Sequence, residues 1–522
     1  MYRKQYKLTP VEHLSNVDHD RYLNMKDGSY TDADGRTPLH LAVLSSRNWE
    51  ALLRDSFASG CDVNARDLFG KTAMHYAVEK EHIGCLERLL QKGCNPNITT
   101  VDGITPLMLA AFKGDPSVMR ILIKGGAKVN LADSRGETAL HYLAGYTQKD
   151  CLSGVKSGVV ISAYEEKIPI VPCSKKNPEA IQILIAAKAE LDHEDNLGRT
   201  ALHWTAERND SACADLLIEA GASLDLEDKE GCTPYVLAIK SNSPAVLQSL
   251  IKAGCDQTAI DGLMGTALAL AAIKGHTSIV EILLLNGEDP DECGYFGMTP
   301  LMLCAYESHV STVKTLLQMG ADPNVIGRMG GSVIKASLMR LGPSNEIARH
   351  EIIATLIRAN IDVNLRNASK GYFKVACTNG NNTPLSYAIA VGYISIIRML
   401  LIAGGEIPDD EFAGWMEKAN IHKFFNIAQL KAPISSWKHS PLSLKFICRA
   451  VIRKSIIGKM ESSLQQLPIA KRLQAFLNFE EFDEIYIERA DVIEGASPGM
   501  IEMAAGSTPC GLSALEGALH RR

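Results

Sequence analysis

Nine times along this chain a Thr followed by Pro or Ala opens a short apolar run, and that recurrence constrains the fold more than any other feature. The copies are TPLHLAV (Thr37), TAMHYAV (Thr72), TPLMLAA (Thr105), TALHYLA (Thr138), TALHWTA (Thr200), TPYVLAI (Thr233), TALALAA (Thr266), TPLMLCA (Thr299) and TPLSYAI (Thr383). From Thr200 to Thr299 the step is 33 residues each time, and another 33 reaches Ser332, where GSVIKASL is a degenerate tenth copy. Self-similarity at such a period marks stacked units that cannot bury their apolar faces alone.

The chemistry of one unit is readable. Thr is a good N-cap, and Pro at the first helical position gives up no hydrogen bond that the helix needs. Before the cap stands Asp-x-x-Gly-x-Thr, as in Asp67 with Gly70, Asp133 with Gly136, Asp195 with Gly198 and Asp228 with Gly231. The Asp can close a turn on its own backbone, and the Gly permits a positive φ. A second helix ends on a Leu-Leu-like pair and a Gly, from Gly60 through Gly404, with Lys188 and Asn360 in that place twice. The unit is turn, helix, short loop, helix.

This pattern resembles the ankyrin repeat from about residue 31 to 430, with the signature complete in Thr37-Pro38-Leu39-His40-Leu41-Ala42. The resemblance implies an all-α repeat fold, a solenoid of about ten repeats. It also implies that His40, His75, His141 and His203 are framework residues that hydrogen-bond near the turn. Copies about 33 residues apart sit in separate layers, which argues against a shared metal.

Two breaks in phase locate insertions. Thr138 to Thr200 is 62 residues, 29 more than one repeat, and the excess lies between helices at 148–177. Asn360 to Gly404 is 44 residues, eleven over, and the extra residues fall in the turn segment at 366–384. In ankyrin-like stacks this turn projects beside a groove that binds partners, so Tyr372, Phe373 and Lys374 on the lengthened finger are candidate substrate-binding residues.

Composition narrows the function class. Apolar residues are 46% and charged residues 22%, both globular values. A net charge of −6 gives no polyelectrolyte drive toward nucleic acid or anionic lipid, so protein partners are expected. Thirteen cysteines without a framework suit a reducing compartment, and no stretch is long and apolar enough to span a membrane. A cytoplasmic location, with the nucleus as a second possibility, follows as an expectation. No HExxH, paired CxxC, phosphate loop or Gly-x-Ser-x-Gly is present, so neither an enzyme nor a metal or cofactor site is expected. Trp204 and Trp415 lie among apolar helical residues and read as core.

After about residue 430 the texture changes. In PLSLKFICRAVIRKSIIG, Leu444, Cys448 and Ile452 are spaced by four, one face of a helix. With Ser443 they resemble the elongin-binding motif of the SOCS box. Leu467-Pro468-Ile469-Ala470-Lys471-Arg472-Leu473 resembles its second element, the cullin-5-selecting Leu-Pro-x-Pro motif, with Ala470 in place of the second Pro. By resemblance, Ser443, Leu444, Cys448 and Ile452 bind elongin C, elongin B follows, and Leu467, Pro468 and Leu473 bind a cullin that carries a RING protein. The whole resembles the ankyrin repeat and SOCS box family, whose members are substrate receptors of cullin-RING ubiquitin ligases. The expected organisation is a cap segment at 1–30, the array at 31–430, a small three-helix SOCS box at 440–482, and a Gly-, Ala- and Ser-rich tail at 483–522 that reads as disordered. The rival reading is an ankyrin scaffold whose C-terminal helices only cap the stack. The target itself is not named by the sequence.

Overall fold

A computed structural model describes residues 31–45, 48–145, 178–258, 265–294, 297–328, 330–339, 346–365, 383–391 and 393–405. These residues form twenty α-helices and no strand, in two compact units that meet in sequence at Ala259 and Ile260.

The first unit holds six helix pairs: α1 (Pro38–Leu44) with α2 (Trp49–Ala58), α3 (Ala73–Glu79) with α4 (Ile83–Gln91), and α5 (Pro106–Lys113) with α6 (Pro116–Lys124). They continue as α7 (Ala139–Gly145) with α8 (Pro178–Ala186), α9 (Ala201–Arg208) with α10 (Ser211–Glu219), and α11 (Pro234–Lys240) with α12 (Pro244–Ala253). The second unit holds four: α13 (Ala267–Lys274) with α14 (Thr277–Leu285), α15 (Pro300–Glu307) with α16 (Val310–Gln318), α17 (Val333–Met339) with α18 (Glu346–Arg358), and α19 (Pro384–Val391) with α20 (Ile394–Ile402).

The capping chemistry is the reason these short segments are helical. Thr105, Thr233, Thr266, Thr299 and Thr383 each accept a bond from the backbone N–H three residues on, at 3.1–3.4 Å. Helices of seven or eight residues are marginal alone, so packing does the rest. Leu39, Met74, Leu107, Leu140 and Leu202 are buried, as are Leu53, Leu86, Met119, Ile181 and Ala214 on the second helices. Second helices end on a left-handed residue, and even Lys188 (φ 61°) and Asn360 (φ 63°) take that conformation where the other repeats use Gly.

Within each unit, polar ties fix one layer on the next. Each turn Asp folds its own finger: Asp67 Oδ1 accepts from Phe69 N and Lys71 N, and Asp228 Oδ1 accepts from Glu230 N and Cys232 N. The fingers join by backbone bonds, Leu68 N to Asp34 O, Val101 N to Phe69 O and Ser134 N to Asp102 O. At the opposite loops an Asn or Asp accepts from the backbone of the following layer. Asn64 takes Asn95 N, Asn97 takes Lys128 N, Asn130 takes Glu190 N and Asp192 takes Ser223 N in the first unit; Asp291 takes Asp322 N and Asn324 takes Asp362 N in the second.

The segments 148–177 and 366–384 were expected as insertions. α7 ends at Gly145 and α8 begins at Pro178, so the described layers resume in register on either side of the first. Residues 1–30, 146–177, 366–382 and 406–522 lie outside the described residues.

Candidate functional site

The face of the first unit that carries the first helices and finger bases gathers a set of polar and aromatic side chains. It is built on the framework histidines. His40 Nδ1 accepts from Thr37 N at 3.1 Å, so its Nε2 carries the proton and donates to Lys71 O of the next layer at 3.1 Å. His75 does the same with Thr72 N and Ile104 O, His141 with Thr138 N and Arg199 O, and His203 with Thr200 N and Cys232 O. Two bonds that need a neutral imidazole hold each ring in one tautomer. Burial pushes all four pKa values down, His75 to about 4. Among the described residues no group of three or more His, Cys, Asp or Glu could hold a metal ion.

The residue after the histidine is aromatic in three layers, and there the turn Asp has a second task. Tyr76 OH donates to Asp67 Oδ2 at 2.6 Å and Tyr142 OH to Asp133 Oδ2 at 2.9 Å, while Trp204 Nε1 donates to Asp195 Oδ2 at 3.2 Å. Burial is also the main reason that the Tyr76 phenol titrates far above its ordinary range. Cations lie over these rings. Arg36 and Lys71 sit 5.7 and 5.5 Å from the centre of Tyr76, Arg135 5.6 Å from Tyr142, and Arg199 and Arg208 5.4 and 5.8 Å from Trp204.

Ion pairs knit the same face. Lys71 Nζ meets Glu79 at 2.6 Å, and Lys113 Nζ meets Glu81 at 2.9 Å and the Glu79 carbonyl at 2.5 Å. Arg135 meets Glu137 at 2.6 Å, and Arg199 meets Glu207 at 2.9 Å and Asp228 at 3.4 Å. Leu68 and Val101, at neighbouring fingertips, are 70% and 66% exposed, so the tips offer apolar area beside the charged floor.

The expectation that Trp204 is a core residue is corrected here. Its indole is half-buried on this face, over Gly145 of the preceding layer, where an added Cβ would come within 3.0 Å of the ring. The hydrogen-bonding nitrogen and the two arginines explain the placement. The pattern behind it, an aromatic nine residues after the turn Asp, stands in the sequence at Asp67/Tyr76, Asp133/Tyr142 and Asp195/Trp204. Sequence reasoning passed over it, as it passed over the cation just before the capping Thr at Arg36, Lys71 and Arg199.

Tyr372, Phe373 and Lys374, the elongin set Ser443, Leu444, Cys448 and Ile452, and the cullin set Leu467, Pro468 and Leu473 are all outside the described residues, as is Trp415.

A stack of capped helix pairs with framework histidines and a polar inner face is an ankyrin-type interaction module. A family model described as ankyrin repeats matches residues 7–100, 85–155, 171–261 and 254–326, more than half of the chain, and a model of the SOCS box matches residues 440–478. The chain belongs to the ankyrin repeat and SOCS box family. Among curated proteins it is similar to inversin of Canis lupus familiaris, 33% identical over 199 residues, which is 35% of this chain and 18% of that protein. It is similar to neurogenic locus notch homolog protein 1 of Mus musculus, 35% identical over 121 residues (23% of this chain, 5% of that protein). A third relative is the phosphocholine transferase AnkX of Legionella pneumophila, 28% identical over 159 residues (28% and 16%). The chain thus spans less than a fifth of the length of each of these relatives.

Proposed function

We propose that this chain is a non-catalytic substrate-recognition subunit of a cullin-RING ubiquitin ligase, whose ankyrin repeats hold a target protein and whose SOCS box holds elongins B and C. The observation that carries the reading is the joining, in one chain, of an ankyrin array to a C-terminal SOCS box. Leu444 and Cys448 are four residues apart in sequence, the spacing that lets a long and a compact side chain enter one pocket of elongin C together from a helix. Leu467, Pro468 and Leu473 then engage a cullin, with Ala470 weakening the preference for cullin-5. Rate enhancement comes from raising the target's effective concentration beside a charged ubiquitin carrier, with no bond made by the chain itself. Tyr372, Phe373 and Lys374 belong to the proposed target surface. The work of such a subunit is done in the cytoplasm or nucleus.

Affinity-tagged chain purified from cells tests this. Elongins B and C are expected in stoichiometric amounts with the wild type and are expected to vanish when Leu444→Ala is combined with Cys448→Arg. Wild-type chain free of elongins, or retention by the double variant, overturns the reading in favour of a scaffold whose C-terminal helices only cap the array.

A further inference from the structure

We infer that the sixth layer of the first unit takes an unmodified tyrosine side chain of the target, with its hydroxyl seated between Arg199 and Asp228. This rests on the substrate-receptor reading and gives its target surface one recognition chemistry.

The array itself shows what the place is shaped for. In the second layer the Tyr76 hydroxyl accepts from Arg36 Nε at 3.3 Å and donates to Asp67 Oδ2 at 2.6 Å. In the fourth, the Tyr142 hydroxyl accepts from Arg135 at 2.9 Å and donates to Asp133 Oδ2 at 2.9 Å. One oxygen acts as acceptor and donor together, which a phenol can do and an indole N–H or an aliphatic group cannot. The sixth layer keeps the arginine and the aspartate but lacks the ring. Arg199 precedes the capping Thr200 as Arg36 precedes Thr37, and Asp228 stands five residues before Thr233 as Asp67 stands before Thr72. The position nine residues after Asp228, aromatic in the other cases, is Leu237.

The polar atoms that the ring would answer are present and unmatched. Asp228 Oδ1 is occupied by its own finger, accepting from Glu230 N and Cys232 N at 2.9 Å. Its Oδ2 and Arg199 Nε are both buried and face each other at 3.4 Å, and neither has a hydrogen-bond partner among the described residues. A buried donor and a buried acceptor left without hydrogen bonds are destabilising, and a group that satisfies both relieves that on binding. The Asp228 side chain is 1% exposed, and that of Arg199, lying against it, is 15% exposed. Glu207, 40% exposed, holds the other end of this guanidinium at 2.9 Å, so lifting Arg199 by the width of one oxygen loosens a surface contact. Lys240 keeps a cation beside the place, its Nζ donating to Cys232 Sγ at 3.0 Å. The incoming ring then lies beside cations, as the rings of Tyr76 and Tyr142 do. Phosphorylation of that tyrosine removes the proton that Oδ2 accepts and sets a dianion against a buried carboxylate, so the site selects the unmodified residue.

The test uses the full-length chain, isotope-labelled at its tryptophan indoles, and follows the Trp204 N–H resonance, identified with Trp204→Phe. The probes are N-acetyl-tyrosinamide, N-acetyl-phenylalaninamide and the O-phosphorylated tyrosinamide. The tyrosine amide is expected to shift the resonance saturably, at a concentration at least about tenfold below that of the phenylalanine amide, and the phosphorylated amide to gain no such margin. Asp228→Asn keeps an oxygen for the two N–H groups of the finger but puts an amide NH2 where Oδ2 accepts, and is expected to erase the margin. Leu237→Tyr supplies the hydroxyl from within, and is expected to raise the unfolding midpoint and block the tyrosine amide. Equal responses to the tyrosine and phenylalanine amides, a preference for the phosphorylated one, or an undiminished margin in either variant each overturns the inference. Helical circular dichroism checks both variants, and elongin capture is read on the same wild-type preparation. A chain that captures elongins but ignores the hydroxyl defeats this inference alone, and a chain that selects tyrosine but captures no elongin defeats the ligase reading alone.

Discussion

His75 shows how much one side chain can tie together. Its imidazole bridges its own cap and the next layer, and it is fully buried. Because burial lowers its pKa to about 4, the folded state holds fewer protons than the unfolded state wherever the unfolded histidine, near 6.5, is charged. The contribution is fully present above pH 6.5 and is lost as pH falls toward 4, at up to about 1.4 kcal/mol per pH unit for each such histidine. His40, His141 and His203 shift in the same direction. Urea unfolding at pH 7, 6 and 5 should therefore show a steep acid loss, and His75→Gln should lower stability at pH 7 while flattening that slope. An unchanged slope would show that the ring titrates freely. The capping hydroxyls offer a contrast. Thr233 Oγ1 accepts from Val236 N, whereas the hydroxyl of the buried Ser243 has no hydrogen-bond partner. Thr233→Ala should lose about 1 kcal/mol, and Ser243→Ala should be neutral or slightly stabilising. Thermal melting of the two variants separates them.

Among the elements, α17 departs most from the pattern. Lys335 stands where other first helices carry the framework His, an apolar residue or, in α19, Ser386, and it is 1% exposed with its ammonium 6.0 Å from the centre of the Tyr387 ring. Burial lowers its pKa to about 8. The folded state then holds fewer protons than the unfolded state between about pH 8 and 10.5, so stability rises with pH through that window. Below it the buried charge costs about 3 kcal/mol. Lys335→Met should melt higher than wild type at pH 7, with the gap closing toward pH 10; a gap that is constant across this range would exclude titration of Lys335 as its source. Nothing in GSVIKASL announces this burial. Thr-Pro caps, turn Asp residues and terminal glycines were legible because each acts on its own backbone within a few residues. The fate of Lys335, or of Arg349 stacked 4.7 Å from the centre of the Tyr393 ring, depends on what the neighbouring layers place over it. The Tyr76, Tyr142 and Trp204 bonds fall between these cases: their spacing is written in the chain, but the facing of each ring is set by the stack. The SOCS-box motif was legible as a motif of residue types, and its side chains lie outside the described residues.

At the scale of the whole molecule, an array held by nearest-neighbour contacts should be indifferent to chain that lies outside the contacts. The longest break in phase, the insertion at 148–177, is a direct trial of that idea. Across it the third, fourth and fifth layers of the first unit keep the kinds of tie found between uninterrupted layers. His141 donates to Arg199 O at 3.0 Å, Asn130 accepts from Glu190 N at 2.9 Å, Asn196 N donates to Arg135 O at 2.8 Å, and Trp204 lies over Gly145. The intervening chain is therefore not needed to set the register. Replacing it with a Gly-Ser linker of about five residues shortens the loop that folding must close, a gain of roughly 1.5 kcal/mol by loop-closure entropy. The shortened chain should keep its helical circular dichroism, melt slightly higher and capture elongins as before. A lower midpoint would mean that the segment contributes packing of its own to the stack. A normal melt with target binding lost would instead place the segment in the receptor's recognition surface and remove it from the scaffold.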